Sequence, residues 1–159
     1  MIVYRLGYSG SREGMSVPQL QAVYGHISEI RLVHDSEDME YEAHHGDCLG
    51  GDLEFHVLAA ATRWRTVAHP PVNPAKRAWC RVDIMLPPKG YLARDWDIAR
   101  DTGELIATPK TPRPVPGSGT WTTVGYAVQL GRPVTVFLPD GTGVDGASFF
   151  GAPLPARPS

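Results

Sequence analysis

Two spacings of hydrophobic residues alternate along the chain. Short apolar runs bounded by Gly, Pro, Ser or Asp predict strands, and stretches with apolar residues three or four positions apart predict helices. The predicted strands cover residues 2–6, 39–44, 65–68, 104–107 and 133–138, with a further short strand at residues 82–86. The predicted helices follow Ser16 and Gly51, span residues 91–101 and begin at Thr120.

The helical spacing also predicts the face that each helix buries. In the second helix the buried face would consist of Leu53, Val57, Ala60, Ala61 and Trp64. In the third helix it would consist of Leu92, Trp96 and Ala99. The charged residues of the third helix predict a solvated face with local ion pairs; they are Arg94, Asp95, Asp97 and Arg100.

Strands separated by helices predict a parallel sheet covered on both faces and joined by right-handed crossovers. The predicted architecture is an α/β fold with a mostly parallel sheet of about five strands. We expect a single domain over residues 1–145. Residues 146–159 would form an extended or disordered C-terminal tail.

Glycine and proline are unusually frequent in this chain. They occupy 17 and 15 of its 159 positions, whereas 42% hydrophobic and 20% charged residues exclude a disordered polymer. In parallel sheets, ligands bind outside the carboxyl ends of the strands. Many of the glycines and prolines follow predicted strands, in the loops SGSR, HHGDCLGGD, HPP, TPKTPRPVPGSGT and PDG. These residues therefore predict a ligand-binding rim.

Charge and hydropathy limit the partners of the protein. A formal net charge of −2 argues against a large nucleic-acid footprint, which normally gives a clearly basic domain. No apolar run approaches the length of a membrane span, and no signal peptide precedes residues 2–4. We therefore expect a cytoplasmic protein that contacts neither a membrane nor nucleic acid.

The Gly-rich turn before the fourth helix predicts an anion site. Its glycines allow close backbone approach, the helix N-terminus offers free N–H groups, and its hydroxyls can donate. The alternative is an ordinary N-cap after a flexible loop. The turn matches neither the Walker A motif nor GxGxxG. Its candidate residues are Gly117, Ser118, Gly119, Thr120 and Thr122.

The loop after the first strand predicts a second cradle for a phosphate or a ribose. Ser9, Gly10 and Ser11 form its turn, and Arg12 can pair with a phosphate or carboxylate through two N–H groups. The alternative is a common serine- and glycine-rich turn.

The loop after the second strand carries several polar groups. Its glycines Gly46, Gly50 and Gly51 would give backbone access, and Asp47 or Asp52 would accept hydrogen bonds from ribose hydroxyls. Asp52 is equally well explained as a carboxylate at a helix N-terminus. We expect no metal site from this loop, because adjacent strand residues such as His44 and His45 point to opposite faces of the sheet. A catalytic Cys48 has no identifiable base.

Further candidates come from other segments. His69 lies in the loop after the third strand. Arg94 lies near the start of the third helix and is a ligand contact or, alternatively, part of a surface salt bridge. Trp79 and Tyr91 could stack on a base, although single aromatic residues more often belong to the core.

The motifs together resemble a known superfamily. The segments SGSR, HHGDCLGGD, RDWDIARDTGELIATP and GSGTWTTVGYAVQLGRPVTVFLPDG resemble small bacterial and phage proteins of the SLOG superfamily, over about residues 3–141. That superfamily includes cytokinin riboside monophosphate phosphoribohydrolases, the DNA-processing protein A domain and molybdenum-cofactor carrier proteins. The resemblance implies a Rossmann-like three-layer fold with a site for a nucleotide or a nucleotide-derived ligand.

The resemblance also bears on catalysis. The phosphoribohydrolases have the motif PGGxGTxxE, to which Gly117, Gly119 and Thr120 correspond. The catalytic Glu would fall at Thr122 or Thr123, so the family's acid is absent. The family's preceding Arg corresponds to Arg94, without its neighbouring Lys. Substitute acids would be Asp47, Asp52 or Asp95.

Two principal hypotheses follow. The first is a binding protein for a phosphate-bearing, nucleotide-like ligand, with no certain cofactor and no metal. The second is an enzyme that cleaves or transfers the N-glycosidic bond of a nucleotide, as a phosphoribohydrolase or a deoxyribosyltransferase does, with a non-standard acid and with Arg94, Asp47 and Asp52 as candidates. We also expect a homo-oligomer. A partner-binding module is a third hypothesis, in which Phe149 and Phe150 dock on another subunit.

Overall fold

A computed structural model describes residues 1–34 and 36–150 of the chain. The strands are β1 (Ile2–Gly10), β2 (Met39–His45), β3 (Arg65–Ala68), β4 (Ile84–Met85), β5 (Glu104–Thr108), β6 (Val134–Phe137) and β7 (Gly143–Asp145). The α-helices are α1 (Val17–Val33), α2 (Gly51–Ala61), α3 (Tyr91–Asp101) and α4 (Gly119–Gln129). Two short 3-10 helices cover Pro74–Lys76 and Gly146–Phe149.

The sheet has the order β4-β3-β2-β1-β5-β6-β7. All neighbouring strands are parallel except β6 and β7, which form an antiparallel pair. The α/β, mostly parallel prediction is therefore confirmed, but the sheet has seven strands and not about five. β4 and β7 contain only two and three residues, too few to show a period of alternation in the sequence.

Two apolar layers cover the two faces of the sheet. Residues of α1 and α2 pack with Leu6, Tyr8 and Ile106 on one face. Residues of α3 and α4 pack with Leu105, Val134 and Val136 on the other. Leu105 and Ile106 are neighbours on β5 and belong to opposite layers, as the alternation of strand side chains requires. The result is a three-layer fold.

The sequence-based prediction for the buried face of α2 was wrong for the residues of the helix itself, although Trp64 after the helix is buried in the core as expected. Leu53 and Val57 are 38% and 57% exposed. The face that packs on the sheet consists of Asp52, Phe55, His56 and Ala59. Apolar spacing misidentified this face because the buried positions include an acid and a histidine that find polar partners inside the protein.

The prediction for α3 was also wrong in part. Ala99 is buried as expected, but Leu92 is 61% exposed. Arg94, Asp95 and Asp97 are buried instead of forming a solvated face. Charged groups can be buried when they are paired and hydrogen-bonded. Most of the partners of Arg94 lie far away in the sequence.

The C-terminal part of the described chain packs against the domain. Gly146 is buried, and the Phe149 ring lies 4.9 Å from the Trp121 ring, measured between centroids. The packed domain therefore extends beyond residue 145, and residues 151–159 of the predicted tail lie outside the described part. None of the described helices is long and apolar enough to cross a membrane.

Candidate functional site

A crevice of about 690 Å³ opens where the strand order reverses, between the carboxyl ends of β1 and β5. Strands β2 to β4, which follow β1 in the chain, lie on one side of it, and strands β6 and β7, which follow β5, lie on the other side of β5. The loops that leave β1 and β5 therefore diverge, and a space opens between them. Most of the predicted ligand-binding residues line this crevice. They are Ser9, Gly10, Ser11, Arg12, Gly46, Arg94, Gly117, Ser118, Gly119, Thr120 and Thr122, together with the catalytic candidate Asp52.

The N-terminus of α4 forms one wall of the crevice. Ser118 is the N-cap, and its side chain accepts a hydrogen bond from the Trp121 N–H at 3.3 Å. The N–H groups of Gly119 and Thr120 have no acceptor within the helix, because the first turn offers none. A Cβ atom at Gly119 would meet nothing closer than Asp95 Oδ2, at 3.9 Å. The wall therefore offers free donors, a favourable helix dipole and room for an anion.

The loop after β1 forms the opposite wall and rests on the start of α2. The Gly51 N–H donates to the Ser11 carbonyl at 2.9 Å. A Cβ atom at Gly50 would lie 2.2 Å from the Arg12 carbonyl oxygen. Gly50 and Gly51 thus do not line the crevice; they allow the two loops to pack together. Their contribution to a ligand site is to position residues 9–12.

Arg94 lies at the base of the crevice and is 8% exposed. Its Nη1 donates to the Gly46 carbonyl at 2.8 Å and to Cys48 Sγ at 3.1 Å, while its Nη2 pairs with Asp95 Oδ1 at 3.1 Å. Among the described residues its buried Nε–H has no hydrogen-bond partner. Burial acts to lower the pKa of Arg94, but Asp95 and Asp52 hold it above the ordinary value. The guanidinium is therefore a fixed charge with a donor still available.

The Tyr91 ring contacts two guanidinium groups. Its ring centroid is 4.9 Å from Arg12 Cζ and 5.2 Å from Arg94 Cζ. The Tyr91 hydroxyl is buried and has no hydrogen-bond partner in the described part of the chain. The stack connects the β1 loop to α3 and holds both cations at the crevice.

Two carboxyl groups adjoin Arg94. Burial raises the pKa of Asp52 and of Asp95 to about 6 in each case. Asp52 Oδ2 also accepts a hydrogen bond from the Cys48 N–H at 3.1 Å. Cys48 is buried, and burial raises the pKa of its thiol. The crevice thus combines cations with carboxyls that become protonated only slightly below neutral pH.

The structure places Asp47 outside the crevice. Its fully buried carboxylate accepts hydrogen bonds from Arg77 Nε at 2.9 Å and from the Cys80 N–H at 2.8 Å, and it pairs with Arg77 Nη2 at 2.8 Å. The group binds the β2 loop to residues 77–80. No oxygen of Asp47 is directed to a ligand in this arrangement, so its role is to join these two segments.

His69 is likewise away from the crevice lining. Its Nε2 lies 2.8 Å from His44 Nδ1, and His44 Nε2 lies 3.1 Å from Glu42 Oε1. Because a carboxylate can only accept, His44 donates through Nε2 and accepts the His69 proton at Nδ1. Burial lowers the pKa of His69 to about 4, so this chain of rings is uncharged at neutral pH.

His45 points to the other face of the sheet and meets His56 and Cys80. The ligand atoms of these three residues lie within 4.8 Å of one another, an arrangement that could hold a metal ion. The hydrogen bonds argue against it. The Asp47 N–H donates to His45 Nδ1 at 3.0 Å, so the ring proton is on Nε2, which donates to His56 Nδ1 at 3.2 Å. Metal-bound histidines instead donate through their second nitrogen.

Several residues that line the crevice were not predicted from the sequence as ligand contacts. Tyr8 precedes the β1 loop, and its hydroxyl bonds Thr108 Oγ1 at 2.5 Å. Lys110 and Thr111 belong to a loop that is predicted to line the rim, so the sequence could have indicated both residues as ligand contacts. The residues concerned are Tyr8, Cys48, Asp95, Lys110 and Thr111, whereas Tyr91 was expected as a possible stacking partner for a base. Cys48 has no base that the sequence identifies, and Asp95 is predicted only as a substitute acid.

No family model and no curated protein matches the sequence. Solved structures do match. The molybdenum cofactor binding protein of Rippkaea orientalis is 19% identical, with a TM-score of 0.65 over 87% of this chain and 78% of its own. The molybdenum cofactor carrier protein of Chlamydomonas reinhardtii is 20% identical, with a TM-score of 0.60 over 86% and 76% of the two chains.

A third match widens the comparison. DNA processing protein A of Streptococcus pneumoniae is 18% identical, with a TM-score of 0.62 over 84% of this chain and 50% of its own. At such identities the likeness concerns the fold. The solved structures thus share the Rossmann-like fold that the sequence motifs predict for this chain.

Proposed function

We propose that the protein binds a phosphate-bearing nucleotide or nucleotide-derived ligand in the crevice between the β1 loop and the N-terminus of α4. The observation that carries the proposal is the convergence of three donor groups on one crevice: the first turn of α4, residues 9–12 and the buried Arg94. Each donor group alone is common. Their meeting at the position where the strand order reverses is typical of a ligand site.

The size and charge of the crevice fit this ligand class. A volume of about 690 Å³ falls within the range of small-molecule sites. A phosphate would be placed at Gly119 and Thr120, where the helix offers free N–H groups. Arg12 and Arg94, both in contact with the Tyr91 ring, would contact the rest of the ligand. Relatives in fold support the class, since two are named as binding or carrying the molybdenum cofactor.

The test is a thermal-shift series with nucleoside mono- and diphosphates, pyrophosphate and sulfate, after native mass spectrometry of the purified protein. Mass spectrometry reports any co-purified ligand and tests the expected homo-oligomer. We expect at least one phosphate-bearing compound to raise Tm. A series in which none does so would refute the proposal.

Two glycine variants localise the binding. Gly119→Asp places a carboxylate where the phosphate would bind, without a steric clash, because the nearest atom is 3.9 Å from the new Cβ. We expect the ligand-induced Tm shift to disappear. Gly90→Asp is the matched control: it adds the same charge at the N-cap of α3, where nothing lies within 4 Å, and should keep the shift.

A second function is favoured by one specific observation. The Gly-rich turn that replaces the family motif lies close to Asp95, whose Oδ2 is 3.9 Å from the Cβ position of Gly119 and whose pKa burial raises to about 6. A carboxyl with this pKa can serve as a proton donor near neutral pH. The corresponding reaction is cleavage of the N-glycosidic bond of a nucleoside monophosphate.

The enzyme hypothesis is tested by incubating the protein with nucleoside monophosphates and measuring free base and pentose phosphate. Asp95→Asn should abolish the release of base, whereas Asp101→Asn, at the other end of the same helix, should keep it. Release that persists in Asp95→Asn would contradict a role for this carboxyl.

A further inference from the structure

A cationic and aromatic surface lies beside the crevice, along the sheet edge formed by β4. It comprises Lys76, Arg77, Trp79, Arg81 and Met85 and is named the Trp79 surface. The Trp79 side chain is the centre of this surface, since the residue is 62% exposed. Arg77 Cζ lies 3.9 Å from the Trp79 ring centroid, and Arg77 Nη2 contacts Met85 Sδ at 3.2 Å.

The backbone holds Trp79 in an unfavourable conformation. Its φ of 56° lies in the left-handed region, which a bulky residue rarely adopts. Hydrogen bonds on either side of Trp79 hold this geometry. The Ala78 N–H donates to the Asp47 carbonyl and the Cys80 N–H donates to Asp47 Oδ1, each at 2.8 Å. The indole is therefore kept at the surface against the local preference of the chain, and it fills no core. Such an arrangement points to a role outside folding.

The charge around Trp79 differs from that of the whole chain. Residues 72–90 contain four basic residues and one acid, whereas the whole chain has a net charge of −2. Lys89 pairs with Asp97, and the acid, Asp83, accepts from the Thr66 N–H. Lys76 and Arg81 form no ion pair with any residue that the structure describes. If this surface contacted the same surface of a second copy across a two-fold axis, like charges would face each other. The surface therefore suits an anionic partner better than a second copy of the chain.

The Trp79 surface continues to the edge of the crevice. The Leu49 N–H donates to the Lys76 carbonyl at 3.3 Å, and Cys48 forms a β-bridge with Arg77. Cys48 lines the crevice, but Trp79 does not. Small ligands prefer concave sites, whereas an exposed ring flanked by cations is the arrangement that binds an extended polyanion with planar groups.

We propose that the Trp79 surface binds single-stranded nucleic acid. A base stacks on the accessible part of the indole, and phosphates of the strand lie against Lys76 and Arg81. Arg77, fixed by Asp47, holds the ring from its other side. This binding is separate from the ligand site of the crevice and does not require that site to be occupied.

The test is fluorescence anisotropy of a labelled oligothymidine at low ionic strength, with Trp79→Gly as the main variant. We expect affinity to fall roughly tenfold, the usual effect of removing one stacked base. The Tm of Trp79→Gly should not fall, because glycine accepts a φ of 56° without strain. Tyr24→Ala is the control: it removes another exposed aromatic ring, 52% exposed on α1, and should leave binding unchanged.

Charge variants complete the test. Lys76→Ala and Arg81→Ala should each weaken binding and reduce the salt dependence, by about 0.7 in the logarithmic slope for each phosphate that the variant no longer neutralises. The proposal is overturned if the wild type does not bind, or if Trp79→Gly binds as well as wild type. It is also overturned if duplex DNA or polyglutamate binds as tightly, which would show a surface for polyanions in general. A change of oligomeric state in Trp79→Gly would instead assign the surface to a protein interface.

Discussion

At the scale of single residues, the crevice depends on glycines that leave room for Arg94. A Cβ atom at Gly46 would lie 2.3 Å from Arg94 Nη1 and 2.9 Å from Asp52 Oδ2. The guanidinium could then no longer reach the Gly46 carbonyl. The same glycine thus controls both the fold of the β2 loop and the position of the cation.

Gly46→Ala should therefore destabilise the protein by about 2 kcal/mol, the typical cost of removing a buried hydrogen bond to a charged group. It should also reduce the ligand-induced Tm shift. Gly25→Ala is the control, because nothing lies within 4 Å of its Cβ position, and this exchange within α1 should stabilise by roughly 0.5–1 kcal/mol. Urea denaturation of both variants measures the difference. Equal stability of the two would contradict the close approach of Arg94.

A second residue-scale prediction concerns Asp95, whose pKa burial raises to about 6. The folded state then holds this proton more tightly than the unfolded state, so the contribution of Asp95 to stability is lost as pH rises from about 4 to 6. Buried histidines act in the opposite direction. The pKa of His45 is lowered to about 3 and that of His69 to about 4, so protonation of the unfolded state costs stability as pH falls below about 6.5.

Comparing wild type with Asp95→Asn separates the two effects, because the histidines are common to both. We expect the stability of wild type relative to the variant to decrease by roughly 2–3 kcal/mol between pH 4 and pH 7. Urea denaturation at several pH values in this range provides the measurement. A difference that is constant with pH would show that the carboxyl is not perturbed.

At the scale of elements, the start of α1 shows how local sequence determines structure. Ser16 and Gln19 form a capping box, in which the Gln19 N–H donates to Ser16 Oγ at 3.2 Å and the Ser16 N–H donates to Gln19 Oε1 at 2.9 Å. Ser16 Oγ also donates to the Pro139 carbonyl at 2.7 Å. The cap therefore joins α1 to the end of the sheet as well as satisfying the helix.

Ser16→Ala should cost about 1–2 kcal/mol, at the upper end for an N-cap because a tertiary hydrogen bond is removed with it. Gly90→Ser provides the comparison at α3, whose N-cap has no side-chain hydrogen bond and a φ of −61° that any residue can adopt. That exchange should stabilise by a few tenths of a kcal/mol. Thermal unfolding distinguishes the two, and a Ser16→Ala variant as stable as wild type would contradict the linking role of the cap.

The same scale shows what the sequence could reveal and what it could not. Strand-end loops were predictable as crevice walls, because parallel strands bring their carboxyl ends to one edge. The burial of Arg94 was not predictable, because Gly46 and Cys48, which accept its hydrogen bonds, lie on a distant loop. The position of Asp47 outside the crevice was not predictable for a related reason. Its partner Arg77 comes from an irregular segment, and no periodicity in the sequence indicates how that segment folds.

At the scale of the whole molecule, the segment after β7 supports the crevice from behind. Phe149 packs on Trp121, which lies in the same first turn of α4 as the donors Gly119 and Thr120. Trp121 Nε1 in turn donates to Thr111 Oγ1 at 2.9 Å, in the proline-rich loop that closes the crevice. Packing at the C-terminal end of the described chain is thus connected to the ligand site through one side chain.

Two truncations test this connection. A chain ending at Asp145 should be less stable than one ending at Phe150 by about 2–3 kcal/mol, because it lacks two partly buried Phe side chains and an aromatic pair. Both lack the residues beyond Phe150, so the difference reports only residues 146–150. The shorter chain should also show a smaller ligand-induced Tm shift, since Trp121 no longer holds Thr111 in place. If stability falls while the shift is preserved, the C-terminal packing supports the domain but not the crevice.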